Sequence, residues 1–417
     1  MGKLREFTIE FDKDKEVYDS GELISGYVSV NLADEKFLRG IHMTFTGRAG
    51  VEWTEIESRG KAKVTIHYLA GETYFDHEIT IYGKDKSAGE DDQIQLPAGS
   101  HKFPFKFQLP DAAMPCSFEG SLGHIRYIAR AVIDRPWKFD HVTKRAFSMV
   151  GIPYDLNRVQ DALSPVNCED EKTVCCLCCA TGPITVSCNT DKRAYVPGET
   201  IYISAVLNNH SNRSVHSLEA ELIQSVTYFA RREGVGVPSY RNTSHVICSV
   251  QSEGCGSYSR VKWTQKPLVI PPVPPNDIDG CNFIRTQYYV KLTADVASTP
   301  FDVDLMMEVF IGTIPVEGSF LNHPTLTTTL SVSSQTESKP STSKGPTFEA
   351  AAHGDREIRD ADDSEYTFGH MKFTPFYTFY GFTRKSTRKK AGGSGMFRSS
   401  SKRKEEAKET EKDSTRV

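Results

Sequence analysis

The sequence predicts an all-β protein made of two tandem antiparallel β-sandwich domains, which are joined by a short hinge and followed by a disordered C-terminal tail. Two observations support this fold class: a long internal repeat, and apolar residues that recur at every second position in short segments. Alternation puts one face of a strand on a core and the other in water. The predicted domains are residues 1–152 and 181–332, with a connector at 153–180 and the tail at 333–417.

The internal repeat has the pattern D-K-x-x-Y-x-x-G-E-x-I. It begins at Asp14 in the first copy and at Asp191 in the second, 177 residues later. Copies this far apart are duplicated domains, because solenoid repeats have periods of about 20–50 residues. We expect Gly21 and Gly198, which occupy equivalent positions, to lie in turns with a positive φ that a side chain would disfavour.

Alternating apolar residues mark the strands of each copy. Turn residues separate these short segments and helical patterns are few, which is typical of a β-sandwich. From about Ser333 the alternation stops and Ser, Thr, Lys and Gly dominate, so the tail is predicted to be disordered. The clearest predicted strands cover residues 7–11, 28–32, 103–109, 201–207, 288–292 and 326–330.

The composition excludes several classes of protein. The chain has 417 residues, of which 38% are hydrophobic and 25% charged, and its formal net charge is −4. That balance gives no case for a nucleic-acid partner. The N-terminal segment has no apolar stretch of signal-peptide type, and no run approaches the roughly 18 apolar residues of a membrane span. We therefore expect a cytoplasmic protein with reduced thiols.

Several short motifs follow one another in a fixed order between residues 5 and 332. In this order, over two duplicated halves, they resemble the α-arrestins, which form the arrestin-domain-containing branch of the arrestin clan. The resemblance implies two arrestin-type sandwiches and an adaptor that links membrane proteins to endocytosis and ubiquitination. The motifs are Leu96-Pro97-Ala98-Gly99, Ile125-Arg126-Tyr127, Arg135-Pro136-Trp137, Gly182-Pro183-Ile184, Tyr195-Val196-Pro197-Gly198-Glu199, Ile270-Pro271-Pro272-Val273 and Ile311-Gly312-Thr313-Ile314-Pro315.

No catalytic motif is present: the sequence has no phosphate-binding loop, dinucleotide fingerprint, H-E-x-x-H or G-x-S-x-G. We predict a non-enzymatic adaptor without a cofactor. It would bind the cytoplasmic tails of membrane-protein cargo and be recruited to the plasma membrane and endosomes. Two alternatives stay open: a redox or metal-linked regulator acting through Cys175–Cys179 or Cys255, and a coat subunit like the arrestin-like subunit of retromer.

Basic residues recur on the predicted strands of the first domain. An extended peptide can add to a sheet edge, and Arg and Lys suit the phosphorylated segments that arrestin-like proteins often favour. A dispersed, solvated set of cations explains the pattern equally well. For Arg126, Arg135 and Trp137 we favour salt bridging and packing over contact with a ligand. The candidates for contact with cargo or phosphate are Lys102, Lys106, Arg126, Arg130, Lys144 and Arg145.

Four clustered cysteines, Cys175, Cys176, Cys178 and Cys179, lie in the predicted connector. Close thiolates can hold zinc, but the C-x-x-C spacing here has no clear distant second pair. S-palmitoylation near a membrane and simple packing of small residues beneath the joint are the other readings. Cys255 lies in a separate segment and is a candidate for capture of a partner through its thiol, which requires an accessible thiolate.

The tail contains a dense run of aromatic residues over 366–382. Exposed apolar surface tends to find a partner, so this run is predicted to be a docking peptide or a strand that folds back on the first domain, and an adhesive segment without a function is the alternative. The P-P-x-Y motif of typical α-arrestins is absent, and Thr374-Pro375-Phe376-Tyr377 is the nearest approach, so direct binding of a WW-domain ubiquitin ligase is in doubt. The docking candidates are Phe373, Pro375, Phe376, Tyr377, Phe379 and Tyr380.

A basic run without acidic residues follows over 384–404. It is either a solvated run or a segment attracted to anionic lipid, at about 1 kcal/mol per basic residue near the surface. A nuclear import signal has the same composition. The candidate lipid contacts are Arg384, Lys385, Arg388, Lys389 and Lys390.

Overall fold

The computed structural model describes residues 4–14, 16–86, 93–176, 179–299, 302–319, 346–352, 356–358, 363–369 and 371–381. Within these ranges the chain is built of β-strands, with one short 3₁₀ helix at Leu156–Arg158. In the same ranges no helix has the length and apolar character needed to cross a membrane. The predicted all-β fold is confirmed, whereas the strand expected over 326–330 falls outside the described residues.

The first domain is a sandwich of a small sheet and part of a large one. Its strands are β1 (Leu4–Phe11), β2 (Val17–Tyr18), β3 (Leu23–Leu32), β4 (Lys36–Leu38), β5 (Gly40–Arg59), β6 (Ala62–Gly83), β7 (Ile94–Leu96), β8 (Gly99–Gln108), β9 (Phe118–Glu119), β10 (Gly123–Asp134) and β11 (His141–Met149). The small sheet has the order β1-β3-β8, and it faces β6-β5-β10-β11-β2 of the large sheet.

Alternation produces the core of this first sandwich. Every second residue of β3, including Ile24, Val28 and Val30, is buried against the inner face of the opposite sheet. The ring of Phe45 stacks on that of Phe107 with centroids 4.2 Å apart. Aromatic pairs of this kind add about 0.5–1.5 kcal/mol beyond the apolar area they bury, so the interdigitating rings hold the two sheets together.

The second domain repeats the arrangement. Its strands are β12 (Asn167–Cys176), β13 (Cys179–Thr190), β14 (Ala194–Tyr195), β15 (Thr200–Asn209), β16 (Val215–Arg232), β17 (Pro238–Cys255), β18 (Arg260–Val269), β19 (Ile284–Val296) and β20 (Val303–Ile311). The sheet β12-β13-β15-β18 faces the strands β14-β20-β19-β16, and β17 pairs with β16. Strands β2 and β14 are equivalent, since each pairs in parallel with the last strand of its sandwich, β11 or β20.

The two sandwiches share one sheet and part of one core. Strand β16 pairs with β6 through Arg231–Leu69 and Arg232–Tyr68, which makes the large sheet continuous across the domains. Tyr228 of the second domain is fully buried in the core of the first. A joint of this kind is stiffer than a flexible linker, because moving it would expose apolar surface and break ladder hydrogen bonds.

The repeated motif forms the same turn in both domains. The Glu22 carboxylate accepts a hydrogen bond from the backbone N–H of Asp19 at 3.0 Å, and the Glu199 carboxylate accepts one from that of Val196 at 2.8 Å. The glycine before each glutamate has the positive φ that was predicted, +71° in the first copy and +98° in the second. The motif therefore identifies equivalent positions in a duplicated fold.

The predicted connector is shorter than its 153–180 boundaries. Residues from Asn167 onward form β12, which pairs with β13 in register Asn167–Asn189 and Asp170–Val186. Because β12 is an edge strand with largely exposed side chains, the polar run from Glu169 to Lys172 needs no apolar alternation. That run explains why the sequence pattern placed this strand in the hinge.

The prediction of a disordered tail is wrong for the described residues between 346 and 381. Five short strands lie there: β21 (Thr347–Ala350), β22 (Arg356–Ile358), β23 (Thr367–Phe368), β24 (Met371–Phe373) and β25 (Phe376–Phe379). Strands β21 and β25 pair with each other, as do β22 and β24, and β23 adds to β11. The aromatic residues of this segment bury enough apolar surface to offset the entropy of ordering it.

The turn at Gly198 gives a direct test of how the tail packs. A Cβ added to Gly198 would meet the carbonyl oxygen of Tyr380 at 2.0 Å, whereas one added to Gly236, at φ +74°, would meet nothing within 4 Å. Left-handed backbone costs an ordinary residue about 1–2 kcal/mol at either position. We expect Gly198→Ala to lower the midpoint of thermal unfolding clearly more than Gly236→Ala. Equal shifts would contradict the contact between the tail and this turn.

Candidate functional site

The candidate site is a groove at the open edge of the first sandwich. It measures about 680 Å³ and lies between β1, β11 and the C-terminal segment. Strand β11 is where an extended peptide can add, because its outer edge faces the groove. At one end of that edge lies β2, and at the other lies β23, with Val142 opposite Thr367 and Thr143 opposite Phe368. We call this feature the edge groove.

The tail forms one wall of the edge groove and is held there by one aromatic anchor and one ion pair. The ring of Phe368 meets that of Phe7 at 6.2 Å and that of His141 at 5.3 Å, both edge to face. The Lys144 ammonium lies 2.8 Å from the carboxylate of Asp363. The backbone therefore fixes the direction of the segment, while Phe368 fixes its register.

The charges that line the edge groove nearly balance. Its cationic side chains are Arg5, Lys144, Arg145 and Lys372, and its acidic ones are Glu6, Glu10, Asp14 and Glu16. The Arg145 guanidinium bridges the carboxylates of Glu10, at 2.9 Å, and Glu16. Since Lys144 and Arg145 already face carboxylates, the groove is suited to recognising a main chain and apolar side chains rather than a phosphate group.

The six cations predicted to contact cargo do not form one patch. Arg126 and Arg130 lie on β10, and Arg130 is directly opposite Lys144 of β11, so these three share the outer face of that sheet. Arg126 forms a salt bridge, as predicted: its guanidinium donates two hydrogen bonds to the Glu119 carboxylate, at 2.6 and 2.9 Å. The predicted set is split because the other three lie elsewhere: Lys102 and Lys106 on β8 of the small sheet, and Arg145 in the edge groove.

The outer face of β10 and β11 is itself covered by the tail. Phe373 and Ile358, from β24 and β22, are buried against Ala146 and pack next to Ile128. The guanidinium of Arg356 donates a hydrogen bond to the carbonyl oxygen of Gly120 at 2.6 Å. The surface that the sequence assigned to cargo is thus occupied by the protein's own C-terminal segment, and its role in cargo contact stays a prediction.

The aromatic run then enters the seam between the two domains. Tyr377 is 6% exposed and belongs to the core of the first domain. Burial raises the pKa of Tyr377 well above its usual value, so its hydroxyl stays neutral. Tyr380 reaches the second domain, where its hydroxyl donates to the carbonyl oxygen of Thr313 at 2.8 Å. The segment therefore contacts both sandwiches at once.

Backbone hydrogen bonds hold this segment on both sides of the seam. The N–H of Phe376 donates to the hydroxyl of Ser148 in the first domain at 3.0 Å. The N–H of Tyr380 donates to the carbonyl oxygen of Pro197 in the second domain at 2.9 Å. The backbone contacts of Pro375 and Phe379 lie within the C-terminal segment itself, because the Pro375 carbonyl accepts from Ala351 and Phe379 pairs with Thr347. The contacts with the two sandwiches are therefore made by Phe373, Phe376, Tyr377 and Tyr380.

The predictions for the clustered cysteines stay predictions. The backbone of Cys175, Cys176 and Cys179 belongs to the β12–β13 hairpin, while Cys178 and the side chains of this cluster fall outside what the structure describes. Elsewhere in the described ranges, no three His, Cys, Asp or Glu residues are grouped to hold a metal. Burial raises the pKa of Cys255, which disfavours the thiolate that partner capture requires. The predicted lipid contacts Arg384, Lys385, Arg388, Lys389 and Lys390 also lie outside the described residues.

The fold and the site together define a class of protein: a scaffold of two joined β-sandwiches that offers an edge for an extended peptide. Comparison with known families agrees. The family description "Arrestin (or S-antigen), N-terminal domain" matches residues 7–157, and "Arrestin (or S-antigen), C-terminal domain" matches residues 180–316.

Similar proteins occur in worm, mouse and human. The chain is 30% identical to arrestin domain-containing protein 17 of Caenorhabditis elegans over 332 residues, which is 78% of this chain and 74% of the relative. It is 33% identical to arrestin domain-containing protein 4 of Mus musculus over 76% of this chain and 74% of that one. For arrestin domain-containing protein 1 of Homo sapiens the identity is 29%, over 76% and 66%. The chain belongs to the arrestin domain-containing family, a family of arrestin-like adaptors.

Because Tyr377 is buried in the seam, its replacement tests whether this side chain holds the tail in place. Removing a buried aromatic side chain costs about 3–5 kcal/mol where the site cannot collapse. We expect Tyr377→Ala to accelerate hydrogen exchange at the amides of Phe376 and Tyr380, because the segment that holds them loses its anchor. Tyr366→Ala, at a less buried ring of the same segment, is the control. Unchanged exchange in Tyr377→Ala would show that the segment is held without this side chain.

Proposed function

We propose that this protein is a non-enzymatic adaptor that binds cytoplasmic segments of membrane-protein cargo in the edge groove. It would couple that cargo to endocytic sorting and be recruited to the plasma membrane and endosomes. Family membership supports the adaptor role in general terms. The cargo, the sorting step and the location are part of the proposal.

One observation carries the proposal: the chain's own C-terminal segment adds as a strand to β11. Thr367 and Phe368 pair with Val142 and Thr143 in parallel, at an edge that main-chain hydrogen bonds can extend. An edge that accepts a strand from within the chain has the geometry to accept one from a partner. A cargo segment that supplied an aromatic side chain at the position of Phe368 would meet the same surface on Phe7 and His141.

The tail and the cargo would then compete for one edge. The intramolecular segment is present at a high effective concentration, so a cargo peptide binds only if the tail detaches or the membrane concentrates the cargo. This competition would keep the groove closed to weak ligands. It follows that changes which loosen the tail should strengthen binding of a peptide supplied in solution.

Recruitment of a ubiquitin ligase would follow a different route from that of typical α-arrestins. Pro375-Phe376-Tyr377 is the nearest approach to a WW-domain ligand, and Tyr377 is buried in the seam. A WW domain binds an exposed polyproline helix, which this packed segment does not provide. We therefore propose that a ligase, where one is recruited, comes through a partner of this protein.

The test uses a fluorescent peptide that corresponds to residues 363–381, added to the full-length protein. We expect the wild type to bind it weakly and Phe368→Ala to bind it about tenfold more tightly, because the competing anchor has lost most of its buried apolar area. Tyr258→Ala, at an exposed aromatic residue of the second domain, should match the wild type. Equal affinity in all three proteins would contradict a peptide-binding edge controlled by the tail.

Cargo is tested with a panel of cytoplasmic tails from membrane proteins. In the Phe368→Ala background, Lys144→Glu should weaken binding of acidic tails about fivefold, as expected for loss of one well-placed ion pair. Lys102→Glu, on the other sheet, is the matched charge control and should leave binding unchanged. Tails that bind both variants equally would place the cargo site away from the edge groove.

A further inference from the structure

The turn between β10 and β11 exposes two large aromatic side chains. Trp137 is 80% exposed and Phe139 is 74% exposed. Trp137 also has a φ of +66°, a left-handed conformation that costs a residue with a side chain about 1–2 kcal/mol. The packing expected for Trp137 from the sequence is therefore wrong. A strained turn that holds a tryptophan exposed to water is typical of a contact surface.

The turn has a fixed shape despite its exposure. The Asp140 carboxylate accepts a hydrogen bond from the backbone N–H of Arg135 at 2.9 Å, and the N–H of Lys138 donates to the carbonyl oxygen of Arg135 at 3.1 Å. The Arg135 guanidinium donates to the carbonyl oxygen of Phe139. The ring of Phe139 stacks on that of Tyr366, with centroids 5.3 Å apart. The aromatic side chains are thus presented by a rigid turn.

A buried lysine and a buried histidine lie beneath the turn. Lys36 and His141 are each 8% exposed, and the Lys36 ammonium is 2.8 Å from Nε2 of His141. Burial, followed by repulsion from Arg135 and Lys138, lowers the pKa of Lys36 to about 8. Burial and the charges of Lys36 and Arg135 lower the pKa of His141 to about 3. Burial lowers the pKa of Arg135, and the nearby carboxylate of Asp140 acts in the opposite direction.

Two buried donors in this group have no hydrogen-bond partner in the described part of the chain. They are Nε of Arg135 and Nδ1 of His141, and both side chains lie against the ring of Tyr366, at 5.8 and 5.9 Å from its centroid. A buried polar atom without a partner costs about 1–3 kcal/mol, so native structures generally satisfy such atoms. Repelling cations together with unsatisfied donors are the features of a site that binds an anion.

The aromatic residues identify the source of that anion. Tryptophan and phenylalanine next to lysine and arginine suit the interface of a bilayer, where the rings enter the headgroup region and the cations meet phosphates. A soluble phosphate would not use a tryptophan that stands 80% exposed beside the cations. Strand β11 begins at this turn and continues into the edge groove. A membrane bound at the turn would therefore lie near a peptide bound in the groove.

We propose that residues 135–139 form a membrane-contact site, in which Arg135 and Lys138 bind the phosphate of an anionic lipid headgroup while Trp137 and Phe139 insert into the bilayer interface. The site consists of residues that do not line the edge groove and do not belong to the basic run at 384–404. It goes beyond the proposed adaptor function, because it assigns this turn a lipid ligand of its own.

Intrinsic fluorescence reports this contact selectively. The chain has three tryptophans, and Trp53 and Trp263 are each 4% exposed. Adding phosphatidylcholine vesicles that contain phosphatidylserine to the full-length protein should shift the Trp137 emission to the blue and protect it from an aqueous quencher. Pure phosphatidylcholine vesicles should do neither. Trp137→Phe should abolish the response while the protein stays folded, as the unchanged emission of the two buried tryptophans would show.

Charge variants test the headgroup site. Lys138→Gln and Arg135→Gln should each reduce partitioning to anionic vesicles about fivefold, the effect expected for one basic residue at a membrane surface. Lys63→Gln, at an exposed lysine of β6, is the charge control. Tyr258→Ala is the aromatic control, since Tyr258 is 71% exposed in a turn at φ +54°. Both controls should partition like the wild type.

Three results would overturn the proposal. Flotation with anionic vesicles without any change at Trp137 would assign membrane binding to another segment, such as the basic run. If inorganic phosphate shifts the Trp137 emission and vesicles do not, the cluster is a site for a soluble anion. Loss of a protein partner in Trp137→Ala, with no response to vesicles, would make the turn a protein-binding surface.

Discussion

The structure depends on a shared core between its two sandwiches. Tyr228 of the second domain is buried in the first, and β16 extends the sheet of the first domain through β6. Because each domain is completed by the other, the joint cannot open freely without exposing apolar surface. The two sandwiches therefore keep a constant relative geometry, and a peptide meets a formed sheet edge rather than one that it must assemble.

Within this rigid frame the C-terminal segment behaves as a ligand of its own protein. It adds a strand at β11, covers Ala146 with Phe373, and places Tyr377 in the seam. These contacts use main-chain hydrogen bonds and aromatic rings more than charge, and Arg145 already faces Glu10 and Glu16. Recognition at the groove thus follows the general rules of strand addition. Positive charge is concentrated instead at the turn around Arg135, where Lys36 and Lys138 are neighbouring cations.

The sequence predicted much of the fold and less of the site. The repeat located Gly21 and Gly198 correctly because the same turn imposes the same backbone on both copies. Strand β12 was missed because an edge strand needs no apolar alternation. The density of aromatic residues signalled a docking segment, but the surface that it covers depends on contacts between residues about 230 positions apart, such as Phe376 and Ser148. No local pattern encodes such pairs, nor the exposure of Trp137.

Tyr377 follows both sandwiches in the chain, which has a consequence for synthesis. A ribosome releases the first sandwich and then the second before it has translated the residue that fills the seam between them. The newly made domains therefore have an incomplete joint, which chaperones can bind, until Tyr377 has emerged from the ribosome. A message that ends early would yield a protein with two formed sandwiches and an unfilled seam, which quality-control factors can recognise by its exposed apolar surface.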